Sequence, residues 1–416
     1  MKNKKPEIRF KRFSEEWEEK ELGKIGELKN GMNFGKEAMG HGYPFVNLQD
    51  VFGKSVVDNT NLGLAVSSEN QRKDYNLLKG DVLFIRSSVK PEGVGETALV
   101  TENFENTTYS GFIIRFRANI EIDDNFKRII FSTSFVRGQI LSNSTSSANT
   151  NINQDSLKKI KLIQPSLFNE QTQIGNFFKN LDNLISLHQR KYEKLGILKK
   201  AMLEKMFPKN GADVPEIRFK GFSGAWEEKT LGDLFGIASA SRVHKHEWTE
   251  SGVPFFRSSD VVSDYKGQEN TKAFISFELY EELSKKSGCV QKNDILVTGG
   301  GSIGIPYLVK SNEPLYFKDA DLLWLKNSDN LNGYFLYIFF STVIFRDYIN
   351  SITHTGTISH YTIEQAKATP IKVPKREEQE KIGNYFKNLD NLLTLNHGEL
   401  EKLKNLKKAL LEKMFV

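Results

Sequence analysis

Apolar residues recur with helical spacing in two long stretches of the chain. From Ile174 to Met206 they form a broad stripe, with neighbours mostly three, four or seven positions apart, and the same pattern returns from Ile382 to Met414. No proline interrupts either stretch, while Pro165 and Pro374 precede them. The pattern predicts two helices of 33 residues, each about 50 Å long at 1.5 Å per residue.

Written as heptads, these helices place one polar residue in the middle of an apolar a position. The a residues are Ile174, Leu181, His188, Leu195 and Met202 in the first helix, and Ile382, Leu389, Asn396, Leu403 and Leu410 in the second. A single polar residue in such a seam commonly sets the register of a pair. We therefore expect the two helices to pair as a coiled-coil spacer. The alternative is that each helix covers only its own domain.

The segments that precede the long helices show shorter and mixed patterns. Runs of β-branched and aromatic residues predict strands at Val82–Ile85, Phe112–Phe116, Ile295–Thr298 and Leu322–Leu325. Phe126–Gln139 and Tyr334–Tyr348 have the spacing of amphipathic helices. The expected fold class is α/β, of the mixed α+β kind.

The chain also repeats itself. Pro6–Gly23 is identical to Pro215–Gly232 at 14 of 18 positions, and Ile174–Phe207 is identical to Ile382–Phe415 at 23 of 34 positions. Between these matched segments the two halves diverge. A solenoid needs several short repeats, so one long repeat indicates a duplicated domain with its helix.

The repeat divides the chain into four parts. We expect a first domain at residues 1–165, a helix with its linker at 166–214, a second domain at 215–373 and a second helix at 374–416. Two dissimilar domains are thus expected in tandem, each followed by a near-identical helix.

Composition restricts the setting of the protein. Of 416 residues 38% are hydrophobic, and the longest apolar stretch, near Tyr334–Phe345, is shorter than the roughly 20 residues of a membrane span. The single cysteine, Cys289, excludes an intrachain disulfide and a cysteine-based zinc site. With no signal sequence visible after Met1, we expect a cytoplasmic protein with no membrane partner.

The charge permits a polyanion partner without requiring one. The chain has a net charge of +6, but residues 215–373 carry 17 lysines and arginines against 19 aspartates and glutamates. If this net-acidic segment binds nucleic acid, it must use a local basic patch.

Loops rich in small polar and basic residues occupy corresponding places in both domains. Asn, Ser, Thr, Arg, Lys and His side chains hydrogen-bond to base edges and phosphates, so these loops are candidate contacts to double-stranded DNA. The candidates in the first domain are Arg86, Ser87, Lys90, Asn143 and Asn149. Those in the second are Arg242, His244, Lys245, Arg257, Thr298, Ser302, His354, Thr357 and His360. For each residue the alternative is an ordinary surface loop.

The patterns of common catalytic sites are missing. Gly31–Glu37 resembles a phosphate-binding loop but is one residue short and has Glu37 where Ser or Thr is needed. The glycines after Gly299 lack a complete dinucleotide fingerprint, and His244 and His246 do not have the spacing of a zinc helix. We therefore expect a binding protein, with no catalytic residue and no metal ligand.

Ordered motifs along the whole chain resemble a known family. Phe13–Gly23 and Phe222–Gly232 look like its domain-opening motif, with Phe-Ser, Trp-Glu and Leu-Gly in sequence. Pro374–Gln379 fits the Pro-x-x-x-Glu-Gln lead into the helix, and Pro165–Gln171 fits it with one extra residue. Both helices end in Leu-Glu-Lys-Met-Phe, which is also typical. Together these motifs resemble the specificity subunit of type I restriction–modification systems.

The resemblance implies a non-catalytic subunit with two target recognition domains. Each domain would recognise one half of a bipartite, asymmetric DNA site, with the paired helices between them. Two modification subunits would methylate adenine, and restriction subunits would translocate and cut DNA. S-adenosylmethionine, ATP and Mg²⁺ would then be bound by those partners, and this chain would hold no cofactor. A protein-interaction scaffold with two divergent binding domains is the alternative.

Overall fold

The computed structural model describes residues 5–146, 149–209, 211–319, 321–327, 331–353 and 360–416. The chain folds as two units, each of which joins one α/β domain to parts of both long helices. The first unit comprises Met1–Gln189 with Gly398–Val416, and the second comprises Arg190–His397.

The first unit is built on an antiparallel four-stranded sheet. Its strands, in spatial order, are Gly26–Asn30, Ile113–Ala118, Val82–Ile85 and Thr97–Leu99. A second sheet contains Gly63–Ala65, Met39–Val46 and Thr108–Tyr109, and a two-stranded ribbon joins Glu18–Glu21 to Lys161–Gln164. The central strand Val82–Ile85 is buried on both faces, because helices cover one side and the second sheet lies on the other side of the core.

The second unit repeats this topology, with one additional strand in its second sheet. Its four-stranded sheet has the order Gly236–Ala238, Leu322–Lys326, Ile295–Thr298 and Pro306–Leu308. The second sheet contains Trp248–Thr249, Ala273–Ile275, Val253–Phe256 and Tyr316–Phe317, and the ribbon joins Glu227–Thr230 to Pro370–Val373. Divergent sequences therefore fold on one frame, since the pattern of strands is kept where the residues are not.

Most of the helices lie at corresponding places in the two halves. In the first half they are Leu22–Ile25, Glu69–Asp74, Asp124–Ile130, Ser134–Ser142, Gln154–Lys158 and the long Phe168–Lys205. In the second they are Leu231–Leu234, Ser258–Lys266, Phe277–Ser287, Gly333–Phe339, Val343–Thr353, Ile363–Lys367 and the long Arg376–Lys413. Short 3₁₀ turns occur at Lys36–Ala38, Leu48–Asp50, Pro91–Gly93 and Lys245–Glu247. The two long helices, the mixed α/β class and all four predicted strands are confirmed, with strand ends shifted by one or two residues.

The two amphipathic helices predicted inside the domains are each broken in two, so a single helix was wrong at both places. In the first domain the hydroxyls of Ser132 and Thr133 donate to the carbonyls of Ile129 and Ile130, at 2.7 and 2.8 Å. In the second the hydroxyl of Thr342 donates to a carbonyl three residues back at 2.7 Å. Such bonds give the backbone an alternative to the helix and end it. The sequence Phe-Ser-Thr at both breaks is the signal that apolar periodicity overlooked.

The long helices run antiparallel to each other within each unit. In the first unit, the carboxylate of Asp182 lies 2.6 Å from the ammonium of Lys407, and the ring of Phe178 lies 6.0 Å from that of Phe415. The residue earlier in the first helix, Phe178, thus contacts the later residue beyond the second helix, Phe415, as expected for antiparallel helices.

The second unit repeats this contact with the roles of the helices exchanged. Lys199 lies 2.5 Å from Asp390, and the rings of Phe207 and Phe386 are 6.4 Å apart. The prediction of helix pairing is confirmed, and its direction is antiparallel.

The predicted seam residues are all at least partly buried, and four of them pack in or against a domain core: Ile174 and Leu410 in the first unit, and Ile382 and Met202 in the second. Of the a residues, Ile174, Leu181, Ile382, Leu389 and Asn396 are buried, and His188, Leu195, Met202, Leu403 and Leu410 are half-buried. Asn396 donates to the carbonyl of Leu392 at 2.7 Å. The polar residue of the second seam is thus satisfied by its own helix.

The end of each long helix is anchored in the core of a domain. Phe207 stacks on Phe335 at 5.5 Å and meets the ring of Trp226 edge-on at 5.8 Å. Phe415 stacks on Phe126 at 5.8 Å and meets Trp17 edge-on at 6.0 Å. The repeated Met-Phe at the two helix ends is thus a buried apolar anchor, and the repeated tryptophan is part of its socket.

A buried ion pair joins the repeated opening segment of each half to the start of its long helix. The guanidinium of Arg9 donates to both carboxylate oxygens of Glu170, at 2.6 and 2.7 Å, and Arg218 does the same to Glu378, at 2.7 Å twice. Both glutamates are 1% exposed. Their hydrogen bonds raise the pKa of Arg9 and of Arg218 above the usual arginine value.

The glutamine that follows each glutamate holds the adjoining chain. Gln171 donates to the carbonyl of Pro165, and Gln379 donates to that of Pro374, both at 2.9 Å. The Glu-Gln motif therefore recurs because its two side chains fix the helix to the domain that precedes it.

Candidate nucleic-acid interface

Three segments of the first domain converge at one edge of its main sheet. Strands Val82–Ile85 and Ile113–Ala118 are antiparallel neighbours, so the end of one meets the start of the other. There the amide of Arg86 donates to the carbonyl of Phe112 at 2.8 Å, and the carbonyl of Arg86 accepts from the amide of Ile152 at 2.9 Å. Polar loops that are distant in sequence therefore share one surface.

A small three-stranded sheet extends this edge. Ser87–Ser88 pairs with Thr150–Asn151, which pairs in turn with Thr145–Ser146. The side-chain amide of Asn151 donates to the carbonyl of Asn149 at 2.9 Å. The structure thus brings together the two polar loops of the first domain that were predicted from sequence.

The candidates of the first domain differ in what their side chains do. Arg86 is half-buried, with its guanidinium 3.4 Å from the carbonyl of Gly111, whereas Lys90 is exposed. Ser87 and the exposed Asn149 lie in and beside the small sheet. Asn143 is exposed, but its amide caps a helix by donating to Gln139 at 2.8 Å. Arg86, Ser87, Lys90 and Asn149 belong to the segments that meet at this edge, and Asn143 lies at its border.

The second domain repeats the backbone of this edge with other side chains. The amide of Gly299 donates to the carbonyl of Asp321 at 2.8 Å, and its carbonyl accepts from the amide of Tyr361 at 2.8 Å. These bonds correspond to those of Arg86, so the two edges are equivalent. His360 is exposed and lies close to Gly300 on this edge. A Cβ atom added to Gly300 would be 3.6 Å from Nδ1 of His360.

A basic loop lies beside this edge and lines an open cavity of about 510 Å³. The lining residues are Arg242, Val243, His244, Lys245, Trp248, Lys318, Asp319 and Asp321. His244 and Lys245 are exposed, and Arg242 is exposed as well. Within the described residues, neither Arg242 nor Lys245 pairs with a carboxylate, so both charges are available to a polyanion. Lys318 and Asp321 pair with each other at 2.5 Å.

Arg257 has a different role in the structure. Its guanidinium lies 2.8 and 3.0 Å from the carboxylate of Asp260, and these hydrogen bonds raise the pKa of Arg257. Its charged group also lies 5.6 Å from the ring centre of Trp248. Arg257 therefore supports the wall of the cavity, and a contact to DNA would require it to leave Asp260.

Two candidates near Gly299 differ in their exposure to solvent. Thr298 is fully buried. Its hydroxyl donates to the carbonyl of Ser302, and it accepts a hydrogen bond of 2.8 Å from the amide of Ile305. Its placement on the surface was wrong, since the hydroxyl shapes the turn from inside. Ser302 is exposed. His354 and Thr357 lie outside the described residues.

Among the described residues, no group of three or more histidines, cysteines, aspartates or glutamates has the geometry to hold a metal ion. In the same part of the chain no helix is long and apolar enough to cross a membrane.

Comparison with known proteins places the chain in a family. The family model described as "Type I restriction modification DNA specificity domain" matches twice, over residues 14–196 and 224–405. The chain belongs to this family. It is the specificity subunit of a type I restriction–modification system, with one target recognition domain in each matched segment.

Curated relatives carry the same description. A Methanocaldococcus jannaschii protein assigned as the MjaX type I specificity subunit is 24% identical over 412 residues, or 95% of this chain and 92% of the relative. The MjaVIII specificity subunit of the same organism is 25% identical over 265 residues, or 61% of each chain.

Solved structures agree on the fold. The S subunit from M. genitalium has a TM-score of 0.58 at 18% identity and covers 99% of both chains. A structure described as the basis of complex assembly and conformational transition of the type I system has a TM-score of 0.52 at 17% identity, over 96% of this chain and 97% of the other. Likeness at this level shows the fold and leaves the roles of residues to the geometry above.

Several residues of the two specificity domains were missed by sequence reasoning. Phe112 is 56% exposed and Val89 is 81% exposed, both beside Arg86, so apolar groups lie on the first edge. Phe112 was included in a predicted strand because the run Phe112–Phe116 is rich in β-branched and aromatic residues, whereas the strand begins at Ile113. Trp248 and Lys318 join the second cavity only through folding, since they are 70 residues apart in the sequence.

Proposed function

We propose that each specificity domain contacts one half of a bipartite, asymmetric DNA site through the edge described above. The observation that supports this most is the equivalence of the two edges, in which the same backbone hydrogen bonds hold different side chains. Arg86 of the first domain corresponds to Gly299 of the second, and Phe112 corresponds to Asp321. Different side chains on a common frame suit different half-sites, whereas identical domains suit a palindrome.

Unpaired cations would supply affinity, and the polar edge would supply specificity. Lys90 and Lys245 are exposed and can contact phosphate without breaking an ion pair. Side chains such as Arg86, Asn149 and His360 would then meet base edges in the major groove. A 38-residue helix is about 57 Å long, which exceeds the 34–36 Å between adjacent half-sites, so the helix pair suits a spacer.

The proposal extends to the assembly. We infer that the chain acts without catalysis of its own, and that two modification subunits and the restriction subunits bind it. S-adenosylmethionine, ATP and Mg²⁺ would be held by those subunits. The solved type I structure that concerns complex assembly supports such association in its own system.

The experiment is to purify this chain with its modification subunit and to map the methyladenine that the complex places in DNA. A single bipartite, asymmetric motif is expected. Loss of methylation when this chain is omitted is the control. Methylation with no dependence on this chain would contradict the proposal.

A protein-interaction scaffold is the second candidate, favoured by the net charge of −2 on residues 215–373. The salt dependence of DNA binding distinguishes the two functions. A DNA-binding subunit should lose affinity for DNA steeply between about 50 and 200 mM salt, because it releases counterions from phosphate. Weak binding with no salt dependence would favour the scaffold.

A further inference from the structure

We propose that Asn33 and Lys36 contact DNA in the first half-site, as the counterparts of Arg242 and Lys245 in the second. The inference rests on the proposed function and adds a loop whose sequence only partly matches a phosphate-binding motif. It also assigns a base preference to each domain.

The correspondence follows from the frame that holds the two loops. In the first domain the ring of Phe34 packs edge-on against Phe45, at 5.1 Å. In the second, Val243 packs in the same apolar cluster as Phe255. Phe45 and Phe255 follow the prolines of the matched Tyr/Val-Pro-Phe segments. Phe34 and Val243 are therefore equivalent anchors.

The turns that follow the anchors agree with this register. The 3₁₀ turn Lys36–Ala38 has its counterpart in Lys245–Glu247, two residues after the anchor in both domains. The residue before the anchor is Asn33 in one domain and Arg242 in the other. Asn33 thus corresponds to Arg242, and Lys36 corresponds to Lys245.

Hydrogen bonds place Asn33 on the first edge. The amide of Met32 donates to the carbonyl of Tyr109 at 2.8 Å, and the amide of Gly111 donates back to Met32 at 2.7 Å. The side chain of Asn33 packs directly on the backbone of Gly111. If Gly111 carried a Cβ atom, that atom would lie only 2.1 Å from Oδ1 of Asn33. Because the carbonyl of Gly111 also accepts from Arg86, Asn33 and Arg86 lie on the same patch.

Both side chains are available to a ligand. Asn33 and Lys36 are at least partly exposed, and within the described residues the Asn33 amide has no hydrogen-bond partner and Lys36 has no carboxylate partner. An asparagine amide pairs with N6 and N7 of adenine, whereas arginine pairs with O6 and N7 of guanine. We therefore assign adenine to the position that Asn33 contacts and guanine to the position that Arg242 contacts. Lys36 and Lys245 contact phosphate.

The chain offers matched controls at the other end of the same strands. Lys79 and Lys292 stand two residues before the equivalent Asp81 and Asp294, just ahead of the central strand in each domain. Both lysines are exposed and pair with no carboxylate in the described part of the chain. Their removal changes net charge as Lys36→Ala does, but away from the edge.

The test uses the full chain with its modification subunit, in anisotropy titrations on DNA that carries the mapped motif and in methyladenine mapping. Asn33→Ala should weaken binding about 5- to 100-fold and reduce the preference for adenine at one position of the first half-site. The second half-site should stay unchanged. Lys36→Ala should weaken binding to matched and unmatched DNA alike and reduce the salt slope by about one. Lys79→Ala should bind as the unaltered chain does.

Two results would overturn the inference. One is a mapped motif and affinity that Asn33→Ala and Lys36→Ala leave unchanged, and the other is an equal loss in Lys79→Ala. If the unaltered complex shows no sequence-dependent binding, the proposed function itself fails and the inference falls with it. Equal thermal unfolding midpoints in all the variants would separate lost contacts from lost folding.

Discussion

Whether a cation is already paired decides what it can do at the protein surface. Arg242 and Arg257 are both arginines of the second domain, but Arg257 is held by Asp260 at 2.8 Å while Arg242 has no carboxylate partner among the described residues. A paired guanidinium must give up its carboxylate before it can bind DNA, which offsets much of the gain. Arg242 faces no such cost, so affinity should depend on it more strongly.

The first prediction concerns this basic loop. Arg242→Ala combined with Lys245→Ala should weaken DNA binding about 10- to 100-fold and reduce the salt slope by about one, because the base contact of Arg242 and the phosphate contact of Lys245 are lost. The thermal unfolding midpoint should stay unchanged, since both side chains are exposed. Anisotropy titrations at several salt concentrations measure the first effect and calorimetry the second. Lys292→Ala is the control, and unchanged affinity in the double variant would contradict the prediction.

The second prediction concerns the buried ion pair of the first unit. Glu170→Ala should destabilise this unit by roughly 3 kcal/mol, because Arg9, only 12% exposed, loses its partner. The calorimetric midpoint of the unit should then fall by about 6–12 °C.

Its control is the surface pair of Lys413 with Glu7, which lie 2.7 Å apart. Glu7→Ala should cost less than about 1 kcal/mol, because solvent screens an exposed pair. Equal losses in the two variants would show that burial of Glu170 does not matter. Replacement of both Arg9 and Glu170 by methionine should recover most of the stability.

At the scale of elements, the ends of the long helices do more than pair. Phe207 and Phe415 each fill a socket of three aromatic rings, with Trp226, Phe335 and Phe386 around the first and Trp17, Phe126 and Phe178 around the second. Each helix end therefore completes the core of a domain. This explains why the Met-Phe sequence is kept where the domains have diverged.

The third prediction follows from these sockets. Phe415→Ala should destabilise the first unit by about 3–5 kcal/mol, because it leaves a cavity among packed rings. Phe207→Ala should do the same to the second unit. Calorimetry would show which transition moves in each variant. Leu406→Ala, on an exposed position of the same helix, should change stability by less than about 0.5 kcal/mol. A small effect of Phe415→Ala would mean that the core closes without the helix end.

At the scale of the whole molecule, duplication separates recognition from the frame. The sheets, the ribbon, the ion pair and the helix anchor are repeated, while the edge residues differ. A protein built in this way can change one half-site without disturbing the other. Specificity would then evolve by exchange of one domain.

The fourth prediction tests this independence. Replacement of residues 215–373 by the equivalent segment of another specificity subunit should change one half of the methylated motif and leave the other half as it was. Methyladenine mapping measures both halves at once. Replacement of the first domain is the reciprocal control, and a change in both halves would show that the domains do not act separately.

Much of the architecture could be derived from local sequence. The repeat predicted two equivalent domains, and periodicity predicted the long helices and strands such as Val82–Ile85, because apolar spacing depends on neighbours in the chain. The Phe-Ser-Thr breaks were missed because they depend on hydroxyl hydrogen bonds, which apolar periodicity does not register.

The candidate site depended on the tertiary structure. Sequence identified the polar loops and their residue types, and folding decided which of them share a surface. Thr298 is buried, Arg257 is paired, and Asn33 lies beside Arg86 because of partners far away in sequence. Exposure and pairing depend on those distant partners, whereas the repeat and the helices follow from local order. The sequence by itself therefore determined the family and the duplicated frame, and only the tertiary structure decided which side chains are available to DNA.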